Sequence, residues 1–214
     1  IEPRVALARL SLKQGNNQVF ERQLEQLELL APDSPVIWQL QIARAKLKGD
    51  EAAVLVVYKR AYQQLPSTAT LLGLAGQKLA QGDKDGALGL YRSWLADHPD
   101  DVPVGLALAN LQIKMNDTAA AITQYRQVLN NDGDNLIALN NLAWFLRDSE
   151  PSLAVNYALR AVAIDGESAA VQDTLAMALL ADDRLKEAKN AIAKALSKTP
   201  DNPSMRFHRI LINL

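Results

Sequence analysis

Residues 68–101 read TATLLGLAGQKLAQGDKDGALGLYRSWLADHPDD, and the pattern in this stretch decides the fold. Leu71, Leu74 and Ala75 stand at helical spacing. Gly82-Asp83 supplies a turn and a helix start, Ala87, Tyr91 and Trp94 resume the helical spacing, and Pro99 closes the stretch. That is the plan of two short antiparallel helices. Working outward, the loop residues Pro32, Pro66, Pro99, Gly133, Gly166 and Pro200 follow one another at steps of 34, 33, 34, 33 and 34 residues. Such a period is expected when one helix pair is stacked on copies of itself, each burying its neighbour's apolar face. The expected fold is therefore all-α, a right-handed α-α superhelix of six helix pairs and one further helix. As one continuous domain over 1–214, its repeats span 1–34, 35–67, 68–101, 102–135, 136–168 and 169–202, with a terminal helix over 203–214.

The other units carry the same punctuation. Gly15-Asn16, Gly49-Asp50, Asn116-Asp117 and Asp182-Asp183 mark turns inside the pairs, and Ser149-Glu150-Pro151 puts proline at a first helical position. Asp101-Val102-Pro103 and Asn202-Pro203 combine a cap with an early proline.

Composition narrows the function classes. Apolar residues make up 49% of the chain and charged residues 22%, an ordinary globular balance. The formal net charge of -1 leaves no basic surplus for a phosphate backbone, which argues against nucleic acid as a partner. No cysteine is present, which removes disulfides, thiolate nucleophiles and zinc knuckles. No apolar run approaches the ~20 residues that span a bilayer. Because the chain opens on Ile1 rather than Met, it is expected to be a fragment, with any targeting or anchoring segment upstream.

These residues resemble the tetratricopeptide repeat, whose pattern is a large residue, Leu, a small residue, a turn Gly, then Ala, Tyr or Phe, Ala and Pro. In the third unit Leu71, Leu74, Ala75, Gly82, Ala87, Tyr91 and Pro99 fill seven of the eight slots, and Trp94 stands where a small residue is usual. The first unit departs by placing Phe20 and Leu27 at small-residue slots, and the fifth is one residue short, a loss assigned to its turn.

A narrower resemblance begins at Ala138. The stretch Ala138 to Trp144, then Tyr157 to Ala161, Gln172 to Ala176, Pro200 to Pro203 and Arg206-Phe207-His208 is similar to the C-terminal repeats of the tetratricopeptide lipoproteins of the PEP-CTERM/exosortase system. That resemblance implies a bacterial envelope setting, in protein sorting or exopolysaccharide production and export. It implies a periplasmic or outer-membrane-anchored location through an N-terminal segment outside this chain; the alternative is cytoplasmic.

No catalytic constellation, cofactor motif or metal site emerges from the residues. His98 and His208 stand about three units apart, Asp100-Asp101 and Asp182-Asp183 sit where a turn or cap wants them, and Gly82 to Gly86 lacks the Gly-Lys-Ser/Thr ending of a phosphate loop. An enzyme is not expected.

In a helix-pair stack the first helix of each unit lines the inner face, so its non-core positions form a groove. By repeat register these are Val5, Arg9 and Leu12; Gln39, Ala43 and Lys46; Leu72, Gly76 and Leu79; Leu106, Asn110 and Ile113; Asn140, Trp144 and Arg147; and Asp173, Met177 and Leu180. This lining suits an amphipathic or extended peptide. Asn110, Asn140 and Asn141 resemble part of the asparagine ladder with which tetratricopeptide domains hold a peptide backbone, and the alternative is that they cap or bridge helices. Leu106 and Asp173 stand where a carboxylate clamp would need cations. Trp144 shares a helical face with Asn140 and Arg147 and is the candidate anchor, unless it covers the next unit's first helix instead. Gly76, between Leu72 and Leu79, opens a shallow patch. Trp38, Trp94, Tyr58, Tyr91 and Tyr125 fall at packing slots.

The leading expectation is a non-catalytic scaffold that grips a protein or peptide in this groove, without cofactor or metal. The alternatives are a carbohydrate-binding groove built on Trp144, Trp38 and groove amides, or the sensor domain of a cytoplasmic signalling protein. A monomer is expected, with an end-to-end dimer through the apolar terminal helix (Phe207, Ile210, Leu211, Ile212, Leu214) as the alternative.

Overall fold

The computed structural model describes all 214 residues, and thirteen α-helices with no strand account for the architecture. They are α1 (Glu2–Lys13), α2 (Asn17–Leu30), α3 (Pro35–Leu47), α4 (Glu51–Gln64), α5 (Thr68–Ala80), α6 (Lys84–Asp97), α7 (Val102–Lys114), α8 (Thr118–Asn131), α9 (Leu136–Leu146), α10 (Pro151–Ile164), α11 (Ala169–Ala181), α12 (Leu185–Lys198) and α13 (Pro203–Asn213). Two helices fall in each of the six intervals, and α13 stands in the seventh. The all-α stack of helix pairs read from the period is thus the observed fold. The chain gathers into two compact units, Ile1–Asp97 with α1 to α6 and His98–Leu214 with α7 to α13.

Local chemistry sets the helix ends. The side chains of Asn16, Asp50, Asp101, Asp117, Asn135 and Asn202 each accept from the backbone N–H three residues on, at 2.9 to 3.2 Å. Ser67 and Thr70 form a reciprocal capping box at the start of α5. Prolines take an early position in α1, α3, α7, α10 and α13, where no N–H is needed. Within the pairs, the turn needs one left-handed residue. Gly15, Gly49 and Gly82 supply it freely, while Asn116 (φ 62°) and Asp183 (φ 58°) adopt it with a side chain attached.

The fifth pair departs from this plan, though not in the way its sequence suggests. Helix α9 has 11 residues where α3, α5, α7 and α11 have 13, and the connection Arg147 to Glu150 is longer, not shorter. The missing residue is lost from the helix. Pro151 explains this, because it disfavours helical backbone at Glu150 and opens the next helix with its fixed φ.

In the first unit, Val5, Ala8, Phe20, Leu24, Leu27, Ile37 and Leu40 form one core cluster. Phe20 and Leu27 are fully buried, so the large residues at small-residue slots fill the interior. Trp38 and Trp94 are buried as well, in keeping with packing slots. Tyr58 of α4 lies across α5 at Gly73, where an added Cβ would fall 2.1 Å from the Tyr58 Cε1. Close approach of a ring is what that glycine permits.

The second unit is organised around α11, whose residues Val171 to Leu179 are all buried among α9, α10, α12 and α13. Odd-numbered helices pack on one another, α1 on α3 in the first unit, and α9 on α11 and α11 on α13 in the second. No two even-numbered helices pack comparably. In the second unit α9, α11 and α13 therefore form a contiguous inner row, while α10 and α12 do not pack on each other.

Candidate functional site

On the inner side of the second unit, polar side chains from α7, α8 and α9 form a directed relay. The Asn141 Nδ2 donates to the Tyr125 hydroxyl at 2.9 Å, and that hydroxyl donates to Asn110 Oδ1 at 2.7 Å. Tyr125 is almost fully buried, and burial pushes its phenol above the ordinary range, so it stays protonated as a donor. Asn110 is exposed. With its oxygen held by Tyr125, its amide hydrogens remain available as donors at an exposed position. Asn140 is half-buried, and its Oδ1 is enclosed without a hydrogen-bond partner.

One turn further along α9, Trp144 and Arg147 form a composite surface. The guanidinium carbon of Arg147 lies 3.9 Å from the centre of a Trp144 ring, and its Nη1 donates to the Trp144 carbonyl at 2.8 Å. Both residues are half-buried. The His208 ring of α13 lies 5.8 Å from the Trp144 ring, centre to centre, in a tilted arrangement. His208 Nδ1 is also 2.8 and 3.0 Å from the two carboxylate oxygens of Asp173 on α11. Asp173 is 8% exposed, so its charge would be costly without this partner. Three odd helices, α9, α11 and α13, are thus tied at one inner surface.

The residues singled out in the sequence distribute as follows. Asn110 and Asn141 belong to the relay, Trp144, Arg147 and Asp173 to the second cluster, and Asn140 joins neither. Met177 is buried and packs in the core of that unit rather than lining a surface. Leu72 is half-buried and Gly76 exposed on α5 of the first unit, where nothing stands within 4 Å of a Cβ added at Gly76. Val5, placed in the groove by register, is buried in the first core cluster.

Two participants escaped the sequence reading. Tyr125 is buried at the packing slot it shares with Tyr58 and Tyr91, and it alone of the three has asparagine at both facing slots. The same slots hold Ala43 and Gly73 around Tyr58, and Gly76 and Ala107 around Tyr91. His208 finds its partner not in His98 but in Asp173, 35 residues back on the preceding odd helix. The spacing of about one repeat was the available signal.

No helix is long and apolar enough to cross a membrane. Residues 78–143 match the family model of the tetratricopeptide repeat. Comparison with curated proteins gives no match. Among solved structures, a tetratricopeptide repeat protein from Parabacteroides merdae is similar at 18% identity and a TM-score of 0.69, covering 82% of this chain and 70% of that one. MamA is similar at 18% identity and a TM-score of 0.62, covering 76% and 90%. YrrB, described as a TPR protein with an unusual peptide-binding site, is similar at 12% identity and a TM-score of 0.65, covering 86% and 96%. At such identities the likeness establishes the fold alone.

Proposed function

With tetratricopeptide repeats over residues 78–143 and their fold along the chain, this protein is, we propose, a non-catalytic scaffold that holds a segment of another protein against its odd-numbered helices. The observation that carries this reading is the relay ending at Asn110. A buried phenol fixes the oxygen of an exposed amide and leaves its N–H groups for a ligand carbonyl, the complement of an extended backbone. The half-buried Trp144, three residues after Asn141 on α9, offers an apolar anchor with one polar edge.

A carbohydrate ligand is less well supported. Arg147 already covers a face of Trp144, and Trp38 is buried at 3% exposure, which removes a second stacking surface. The likeness of the stretch from Ala138 to His208 to exosortase-associated repeat lipoproteins supports an envelope setting, in sorting or exopolysaccharide export, reached through a segment outside this chain.

The test is a capture experiment from separated envelope and cytosolic fractions of a bacterial source, with the chain and its Asn140→Ala, Trp144→Ala variant as baits. Circular dichroism establishes that the variant remains helical. Proteins held by the chain, lost by the variant and drawn from the envelope fraction are the expected result. Identical captures would refute the inner face as the binding surface, and cytosolic partners alone would refute the envelope setting.

A further inference from the structure

The formal charge of -1 conceals an uneven distribution of charge between the odd-numbered helices and the rest of the chain. The seven odd-numbered helices carry nine Lys or Arg residues and only two carboxylates, Glu2 and Asp173, so the other 22 acids lie on the even helices and loops. Asp173 is already engaged by His208. In the first unit, α1, α3 and α5 carry six of the nine cations against the single carboxylate Glu2, on a chain that is nearly neutral overall.

In the first unit this excess coincides with room for a ligand. Arg9 of α1 and Lys46 of α3 are exposed and form no ion pair, whereas Arg44, Lys48 and Lys78 are each paired with a carboxylate. Arg9 Nη2 donates to Gln39 Oε1 at 3.4 Å, bridging α1 and α3. This pair stands between two hollows. One, of about 380 Å³, is bounded by Arg9 with Val5, Ala6 and Val36, and carries Glu2 on its edge. The other, of about 310 Å³, is bounded by Gln39 with Trp38, Ile42 and Tyr58. Lys46 follows Gln39 by seven residues along α3, a rise of ~10 Å. A segment in the polyproline II conformation places side chains three residues apart on one side at a spacing of about 9 Å.

We infer that the first unit selects an acidic, extended segment, with carboxylates three residues apart meeting Arg9 and Lys46 and apolar neighbours entering the two hollows. This rests on the scaffold reading above and specifies the ligand of its first unit. Attraction between exposed charges makes the preference modest and dependent on salt.

The probe is a fluorescein-labelled nonapeptide of Leu, Pro and Ala, blocked at both ends, with Glu at its fourth and seventh positions; binding is followed by fluorescence anisotropy. Analogues carry Gln or Lys in place of both Glu residues. The expected order of affinity is Glu, then Gln, then Lys, with about fivefold between the first two at low ionic strength and a narrower gap as salt rises. Arg9→Gln with Lys46→Gln, two exposed positions, is expected to abolish the Glu preference without changing the helix signal, and Glu2→Gln to tighten the Glu peptide. Absence of binding by the Glu peptide, equal binding of Glu and Gln peptides, or a preference that survives the Arg9, Lys46 variant would each overturn the inference. A preference lost instead in the Asn140, Trp144 variant would overturn it while leaving the scaffold reading intact, and identical captures by the chain and that variant would strike the scaffold reading independently.

Discussion

Helix α5 contains two glycines three residues apart whose surroundings differ, and their replacement by alanine isolates the energy of one contact. At Gly73 a Cβ would lie 2.1, 2.5 and 2.9 Å from Cε1, Cδ1 and Cζ of Tyr58, well inside van der Waals contact. At Gly76 it would meet nothing within 4 Å. Alanine is better than glycine inside a helix by about 1 kcal/mol, and this gain applies to both sites. Gly76→Ala is therefore expected to stabilise by about that amount. Gly73→Ala carries in addition an overpacking cost of ~1–3 kcal/mol, because the half-buried Tyr58 ring has to leave its rotamer or push α4 away. The variants should differ by about 1–3 kcal/mol, with Gly73→Ala the less stable. Urea unfolding measures this in a Trp144→Phe background, where Trp38 and Trp94 report on the first unit alone. Adding Tyr58→Ala removes the ring and should close the gap. Equal midpoints for the two variants, or a gap unchanged by Tyr58→Ala, would refute the close approach of α4 to α5.

Four further outcomes are expected. Tyr125→Phe removes both bonds of the relay and should cost ~1–2 kcal/mol in urea unfolding followed by Trp144 fluorescence; an unchanged midpoint would mean the relay holds nothing. His208→Ala leaves the buried Asp173 carboxylate without its partner and should destabilise the second unit by about 1–3 kcal/mol, a loss that Asp173→Asn in the same chain should reduce. Asn116→Gly and Asp183→Gly relieve left-handed backbone and should each raise stability by up to ~1 kcal/mol, whereas lower melting temperatures would contradict the turn geometry. Lys78 beside Asp83, with the Gly86 N–H, holds the Asp83 carboxyl below its ordinary range. Its contribution is then complete above the ordinary value of about 4 and is lost as pH falls through the lower folded value, so the gap between the chain and Asp83→Asn should vanish only at strongly acid pH.

The parts of this protein that repeat were legible in its sequence, and the parts that occur once were not. Pro66, Pro99 and Gly82 announce helix ends by backbone chemistry that needs no neighbour, which is why every helix pair falls in its expected interval. Trp38 and Trp94 were readable as interior because their slots recur in every unit. Val5, a groove position by register, is 8% exposed and shared between the core cluster and the hollow beside Arg9, because register identifies the face of a helix while burial also depends on what covers that face. The relay through Tyr125 and the pairing of Asp173 with His208 link residues on different repeats. Their signal lies in coincident spacings of 15, 16 and 35 residues rather than in any local pattern. The shortening of α9 follows from Pro151, but where the chain absorbs a missing residue is settled by packing that a single sequence does not display.

The shared hydroxyl of Tyr125 bears on how this chain unfolds. In a stack of helix pairs, stability is a sum of terms within each pair and coupling terms between neighbours, and partial unfolding starts where coupling is weak. Because one phenol accepts from α9 and donates to α7, a ligand carbonyl that engages Asn110 polarises a chain of hydrogen bonds crossing from the fourth pair to the fifth. Occupancy of the groove then strengthens a coupling term rather than a local one. A bound segment would make the two pairs open together, converting a sequence of independent frayings into one cooperative step.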